Sequence, residues 1–154
     1  MAESTVNRLP PEIVRNVAKS CLCLHAQRAA RALSRRFDEA FRPLGLTNGQ
    51  FSLLMALNRP EPPTIGQIAS FLAMDRTSLT AALKPLQRRG LVTVTTGRDD
   101  RRNRIISITA EGVDLLGRAL PLWGDVQAEL DDLIGQDIMH RLRAGLNDVC
   151  ERVK

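Results

Sequence analysis

Most of the chain carries a hydrophobic period near 3.6, and one short stretch carries a period of 2. Residues 1–10 are polar and read as a flexible arm, and Pro10 and Pro11 lead into a helical pattern. Leu22, Ala26, Ala29, Leu33, Phe37, Ala40 and Leu44 then recur at spacings of three and four, which lays one apolar stripe along a helix. Arg28, Arg31, Arg35, Arg36 and Arg42 fall on its other faces. The pattern predicts one long first helix that stops at Pro43 and Gly45. Thr47 and Gln50 have the spacing of a capping box, which satisfies backbone N–H groups at a helix start. They open a second helix with Phe51, Leu53, Leu54 and Leu57 as its apolar positions. Residues 58–63 hold three prolines and must be a loop. Thr64 and Gln67 repeat the capping box before a short third helix with Ile65, Ile68, Ala69 and Leu72.

Asp75 is placed to cap a fourth helix over residues 76–89, with Leu79, Ala82, Leu83 and Leu86 inward. Gly90 stands where a helix C-terminus favours positive φ. Pro85 conflicts with this helix and should bend its last turn, because it has no N–H to donate. The period then changes. Leu91, Val92 and Val94 make one short strand, and Ile105, Ile106 and Ile108 make another. The intervening residues 96–103 are too polar for a core, so the strands pair as a hairpin with a basic tip. Thr109 opens a fifth helix carrying Val113, Leu115, Leu116, Leu120, Leu122, Trp123 and Val126, bent at Pro121 and Gly124 and ending near residue 133 or 134. After a break at 135–137, Ile138, Leu142, Leu146 and Val149 mark a last helix.

This order of elements is a mainly α fold with a small β-hairpin wing: a winged helix-turn-helix with long N- and C-terminal dimerisation helices. The expected division is a flexible arm at 1–10, a first helix for dimerisation and core at 11–45, a DNA-binding lobe at 46–109, and C-terminal dimerisation helices at 110–154. The terminal helices carry more apolar positions than a small helical core with one hairpin needs, which points to a homodimer.

Composition adds limits. At 154 residues with 44% apolar and 25% charged residues, the chain suits one globular domain. Four Phe, one Trp and no Tyr leave the core mostly to Leu, Ile, Val and Ala. No apolar run approaches the roughly 20 residues of a membrane span, and residues 1–10 lack the apolar stretch of a secretory signal. The expected location is the cytoplasm, with the three cysteines as free thiols.

Charge is unevenly spread. Residues 76–104 hold eight basic and two acidic side chains, whereas residues 105–154 hold five basic and nine acidic. The basic middle segment coincides with the fourth helix and the hairpin, which is where a phosphate-binding surface is needed. An α-helix fits the DNA major groove and presents its N-terminal half to base edges. In the fourth helix those positions are Arg76, Thr77, Ser78 and Thr80, while Lys84, Arg88 and Arg89 lie further along and suit backbone phosphates. At the hairpin tip Arg98, Arg101, Arg102 and Arg104 can reach phosphates or a narrow minor groove, with Asp99 and Asp100 holding arginines in position. The expected partner is double-stranded DNA, with no membrane partner. No nucleophile–base pair, phosphate-cradling glycine loop or adjacent histidine pair is visible, so an enzyme and a cofactor are not expected. Cys21, Cys23 and His25 do not converge on a helix, so neither is a metal site.

The run Met74-Asp75-Arg76-Thr77-Ser78-Leu79-Thr80, then Leu83, Arg89-Gly90-Leu91-Val92, Asp99-Asp100-Arg101-Arg102 and Ser107-Ile108-Thr109-Ala110-Glu111-Gly112 resembles the MarR family (multiple antibiotic resistance regulators). The resemblance covers nearly the whole chain. It implies that Asp100 and Arg102 match the Asp-x-Arg of the family wing, with Arg102 in the minor groove and Asp75 helping to hold it. It implies a dimer joined through the first and last helices, a pseudo-palindromic operator, and repression relieved by a small-molecule effector. The effector pocket would be lined by the first, second and fifth helices, with His25, Arg28 and Arg31 as polar anchors for an acidic or aromatic compound. Cys23 falls where the organic-peroxide-sensing branch keeps its reactive thiol, which implies the alternative of a thiol-based sensor. That branch partners its thiol with tyrosines, and the matching positions here are Gln27 and Phe37.

Overall fold

The computed structural model describes residues 8–97 and 103–153. Among them the chain forms seven α-helices, a short 3-10 turn and one antiparallel hairpin. In order these are α1 (Pro11–Ser20), α2 (Leu22–Phe41), the turn Arg42–Leu44, α3 (Asn48–Leu57), α4 (Ile65–Phe71), α5 (Arg76–Arg88), β1 (Val92–Thr96), β2 (Arg104–Ile108), α6 (Ala110–Ile134) and α7 (Gln136–Arg152).

The helix starts follow local chemistry. Thr47 and Thr64 each accept a hydrogen bond from the amide three residues on, and Gln50 and Gln67 reach back to the cap amides. Both capping boxes are complete, satisfying donors that would otherwise be orphaned. Asp75 caps α5 and Thr109 caps α6. Gly90, just past α5, has φ 70° as the C-terminal signal requires. The helix α5 carries Pro85 without ending there, and α6 continues through Pro121 and Gly124. The expected break before α7 narrows to Gly135, at φ 94°.

The first helix departs from expectation. It is interrupted at Cys21, whose backbone is extended (φ −72°, ψ 100°). Neither glycine nor proline marks the break. The exposed polar groups are satisfied locally instead. The Ser20 hydroxyl donates to the Asn16 carbonyl (2.8 Å), and the Leu24 amide donates to Cys21 Sγ (3.4 Å).

One core joins α2 to α6. Phe41, Leu54, Leu57, Ile68, Leu79, Leu83, Leu86 and Ile106 are fully buried. Burying each such side chain contributes roughly 1.5–3 kcal/mol. Aromatics are few, yet three of them meet: the Phe41 ring stacks on Phe51 at 4.8 Å and lies 6.1 Å from Phe37. This cluster fixes the C-terminal end of α2 against α3. An Arg36–Glu129 ion pair adds a tie from α2 to α6.

The hairpin pairs Val92 with Ile108 through to Thr96 with Arg104. Its inner edge is held to the chain before α4 by Ile106 N–H donating to the Pro63 carbonyl (2.9 Å) and by a bridge between Thr64 and Ile105. Gly112 then packs α6 against the hairpin. A Cβ there would lie 2.4 Å from the Leu91 carbonyl oxygen and 2.7 Å from Ile108 Cγ1, so only glycine fits this approach.

The apolar stripe of the first helix is buried only near its end. Phe37 is in the core, but Leu22 is 63% exposed and Leu33 lies at the surface. Every residue of α1 is exposed, and α7 buries only Met139. No helix among the described residues is long and apolar enough to cross a membrane.

Candidate nucleic-acid interface

The amphipathic helix α5 defines the candidate site. Leu79, Leu83 and Leu86 are buried, which fixes the rotation of the helix. Arg76, Thr77, Ser78, Lys84 and Arg88 are left exposed on the other side, with Thr80 half-buried at the edge. The start of the helix is rigidly made. Asp75 accepts the Ser78 amide (2.8 Å) on one carboxylate oxygen and the Ser78 hydroxyl (2.6 Å) on the other. The Ser78 hydroxyl and then its amide hold the Asp75 carboxyl below the usual carboxylate range, because both bonds favour its charged form.

These bonds set which hydrogen-bonding groups are left for a ligand. The Ser78 hydroxyl proton is committed to Asp75, and the Thr80 hydroxyl donates to the Arg76 carbonyl (2.7 Å). In this arrangement both oxygens are left with acceptor capacity only. The guanidinium of Arg76 lies beside α4, so that a Cβ at Gly66 would come within 3.2 Å of its Nη2.

Arg89 is used differently from the expectation that it faces phosphates. Its guanidinium turns back along the surface and donates to the carbonyls of Gly45 (2.6 Å) and Leu44 (3.3 Å). It thereby ties the end of α5 to the turn that closes α2. Nothing in the local sequence separates Arg89 from Arg88, because the difference depends on carbonyls some 45 residues earlier.

At the wing, Arg104 opens β2 and is exposed, and the Gly97 amide donates to the Asn103 carbonyl (2.7 Å) across the base of the tip. The expected wing contacts Arg98, Arg101 and Arg102, with Asp99 and Asp100, lie outside the described residues.

The residues expected to anchor an effector are on one face. His25, Arg28, Arg31 and Arg35, with Ala29 and Ala32, line an open groove of about 500 Å³ on α2 alone, without the expected walls from the second and fifth helices. The His25 ring meets the Lys19 carbonyl (3.2 Å), and Arg31 donates to Gln27 Oε1 (3.4 Å). Gln27 in turn donates to Sγ of Cys23 (3.3 Å), which is exposed. Phe37, at the second position where the peroxide-sensing branch has a hydroxyl, is buried in the aromatic cluster. Among the described residues, no group of three or more His, Cys, Asp or Glu is arranged to hold a metal.

Comparison with known proteins agrees with this geometry. The family model described as "MarR family" matches residues 44–103, from the end of the turn after α2 to the foot of β2. The organic hydroperoxide resistance transcriptional regulator of Bacillus subtilis is 26% identical over 84% of this chain and 87% of its own length. The M. tuberculosis transcriptional regulator MosR, in complex with DNA, superposes with a TM-score of 0.77 at 38% identity, over 88% of this chain and 99% of that one. The transcriptional repressor CouR bound to a 23-mer DNA duplex gives 0.76 at 29%, over 86% and 94%. With a winged helix-turn-helix and a relative this similar along its whole length, the chain belongs to the MarR family of transcriptional regulators.

Proposed function

We propose that this protein is a cytoplasmic transcriptional repressor that binds a pseudo-palindromic operator in double-stranded DNA as a homodimer and is released by a small aromatic or acidic effector. The observation that carries the reading is the exposed face of α5: three buried leucines turn Arg76, Thr77, Ser78, Lys84 and Arg88 outward together. In this reading α5, whose DNA-facing positions are Arg76, Thr77, Ser78 and Thr80, enters the major groove behind the Asp75 cap. Lys84 and Arg88 meet phosphates, and Arg98, Arg101, Arg102 and Arg104 of the wing grip alongside. MosR and CouR were both solved on DNA, which supports the same use of this lobe.

The functional division is a 1–10 arm, an 11–45 helical segment, a 46–109 DNA-binding lobe and a 110–154 C-terminal segment. Exposed Ile13, Val14 and Val17 on α1, and Ile138, Leu142 and Leu146 on α7, support pairing of the terminal segments with a second copy. The groove at His25, Arg28 and Arg31 supports an anionic effector, and CouR has also been solved with p-coumaroyl-CoA.

The test is binding to duplex DNA across a range of salt. Affinity should fall steeply and log-linearly as salt rises, and Arg102→Ala should weaken binding without lowering the melting temperature. Salt-independent binding, or none, rejects the reading.

A second reading is a thiol-based organic-peroxide sensor using Cys23. The Gln27 bond to its sulfur and the B. subtilis relative favour it. Treatment with an organic hydroperoxide should then release wild type from DNA and spare Cys23→Ser. Equal loss in both removes Cys23 as the sensor.

A further inference from the structure

Beside the start of the recognition helix lies a cleft of about 230 Å³, walled by three elements: Thr64 and Gly66 at the start of α4, Arg76 and Thr80 of α5, and Asn103 and Arg104 at the foot of the wing. It is smaller than the roughly 300 Å³ at which small-molecule pockets begin. Two exposed arginines line it. Neither has a carboxylate within ion-pair distance among the described residues. Two guanidinium groups that line one small cleft, with no carboxylate of the described residues at ion-pair distance, favour an anion between them.

Gly66 explains why Arg76 is there. A Cβ at that position would stand 3.2 Å from Nη2 of Arg76, tighter than side chains normally pack, and in ordinary contact with Cζ at 3.7 Å. Bare backbone at 66 leaves the space that the guanidinium occupies. Arg76 therefore turns across the front of α4 toward the wing, although its place in the sequence suggests a reader of base edges. The Thr80 hydroxyl proton is committed to the Arg76 carbonyl, whereas the Thr64 hydroxyl accepts the Gln67 amide and keeps its proton to donate to an anion in the cleft.

We propose that this cleft is a phosphodiester site, in which Arg76 and Arg104 hold one backbone phosphate of the DNA from two sides. Arg76 then supplies affinity and register without reading sequence. A guanidinium offers paired N–H donors that match two phosphate oxygens, and the arginines come from α5 and the wing, so the phosphate locks the two DNA-contacting elements together. Gly66 is the positioning residue for this clamp. The inference rests on the DNA-binding reading above.

The test uses the full-length protein and a duplex recovered from a random-sequence library by repeated selection, together with single base-pair variants of that duplex. Arg76→Ala should lower affinity by a similar factor, about ten-fold, on every duplex. Arg76→Ala combined with Arg104→Ala should reduce the salt slope by about one, since one phosphate is released. Gly66→Ala should weaken binding less than Arg76→Ala while leaving the melting temperature unchanged or higher, because alanine is the better helix former. If Arg76→Ala instead relaxes discrimination at one base pair, it reads a base and the inference is wrong. A slope loss of about two in the double variant also overturns it, because the arginines then serve separate phosphates. Failure of wild type to bind any duplex with a salt slope is a different result, and rejects the DNA-binding reading itself.

Discussion

The lobe that spans α3 to the first turns of α6 and the terminal helices α1 and α7 are built from similar apolar side chains, but they use them differently. In the lobe most of the leucines and isoleucines are covered by the same chain, with Leu54, Leu79, Leu86 and Ile106 fully buried and Phe71 an exposed exception. In α1 and α7 they are not: Leu142 and Leu146 are each 50% exposed, and α1 buries nothing. Apolar surface that one chain leaves open is a cost in water unless something covers it. The contrast separates a lobe with a well-buried core, closed by the end of α2, from terminal helices with open apolar faces, and under the proposed function a second copy covers those faces.

Substitutions can break this contrast from either side. The largest expected effect is in the lobe. Leu83→Ala leaves a cavity under the recognition helix and should cost about 2–5 kcal/mol, a large part of a typical domain's stability; chemical denaturation measures it directly. Leu142→Asp with Leu146→Asp should act on the other region. The pair should shift sedimentation from dimer to monomer and weaken operator binding, while the lobe keeps its helical circular dichroism. If the dimer survives, the partner surface lies elsewhere.

The smallest effect is at the Asp75 cap. Its carboxyl titrates lower when folded than when unfolded, through the Ser78 bonds. The stabilisation it gives is therefore complete above the ordinary aspartate value of about 4, and is lost as pH falls through the lower folded value. The melting-temperature difference between wild type and Asp75→Ala should be constant near neutrality and shrink in acid. A difference that grows in acid contradicts the assigned bonds.

Much of the lobe was legible because its signals are local. Thr47 with Gln50, Thr64 with Gln67, and Asp75 with Ser78 each close within three residues, so spacing alone reveals them. Gly90 and the change of period into the hairpin are equally local. The break at Cys21 was not legible, because a continuous apolar stripe hides a stop that only backbone angles and a sulfur cap reveal. The directions of Arg76 and Arg89 were hidden for a different reason. One depends on Gly66, ten positions back on another helix, and the other on the carbonyls of Leu44 and Gly45. Sequence spacing shows that a side chain is on a helix face, and only tertiary neighbours decide where its charged end goes.

Under the proposed function two copies are joined by their terminal helices and set α5 of each into successive major grooves. Hydroxyl-radical footprinting on a selected duplex tests it most directly. Two protected patches related by a dyad, with centres about 10 base pairs or a multiple of that apart, are the expected result. A single patch without symmetry, at a stoichiometry of one chain per duplex, contradicts the claim.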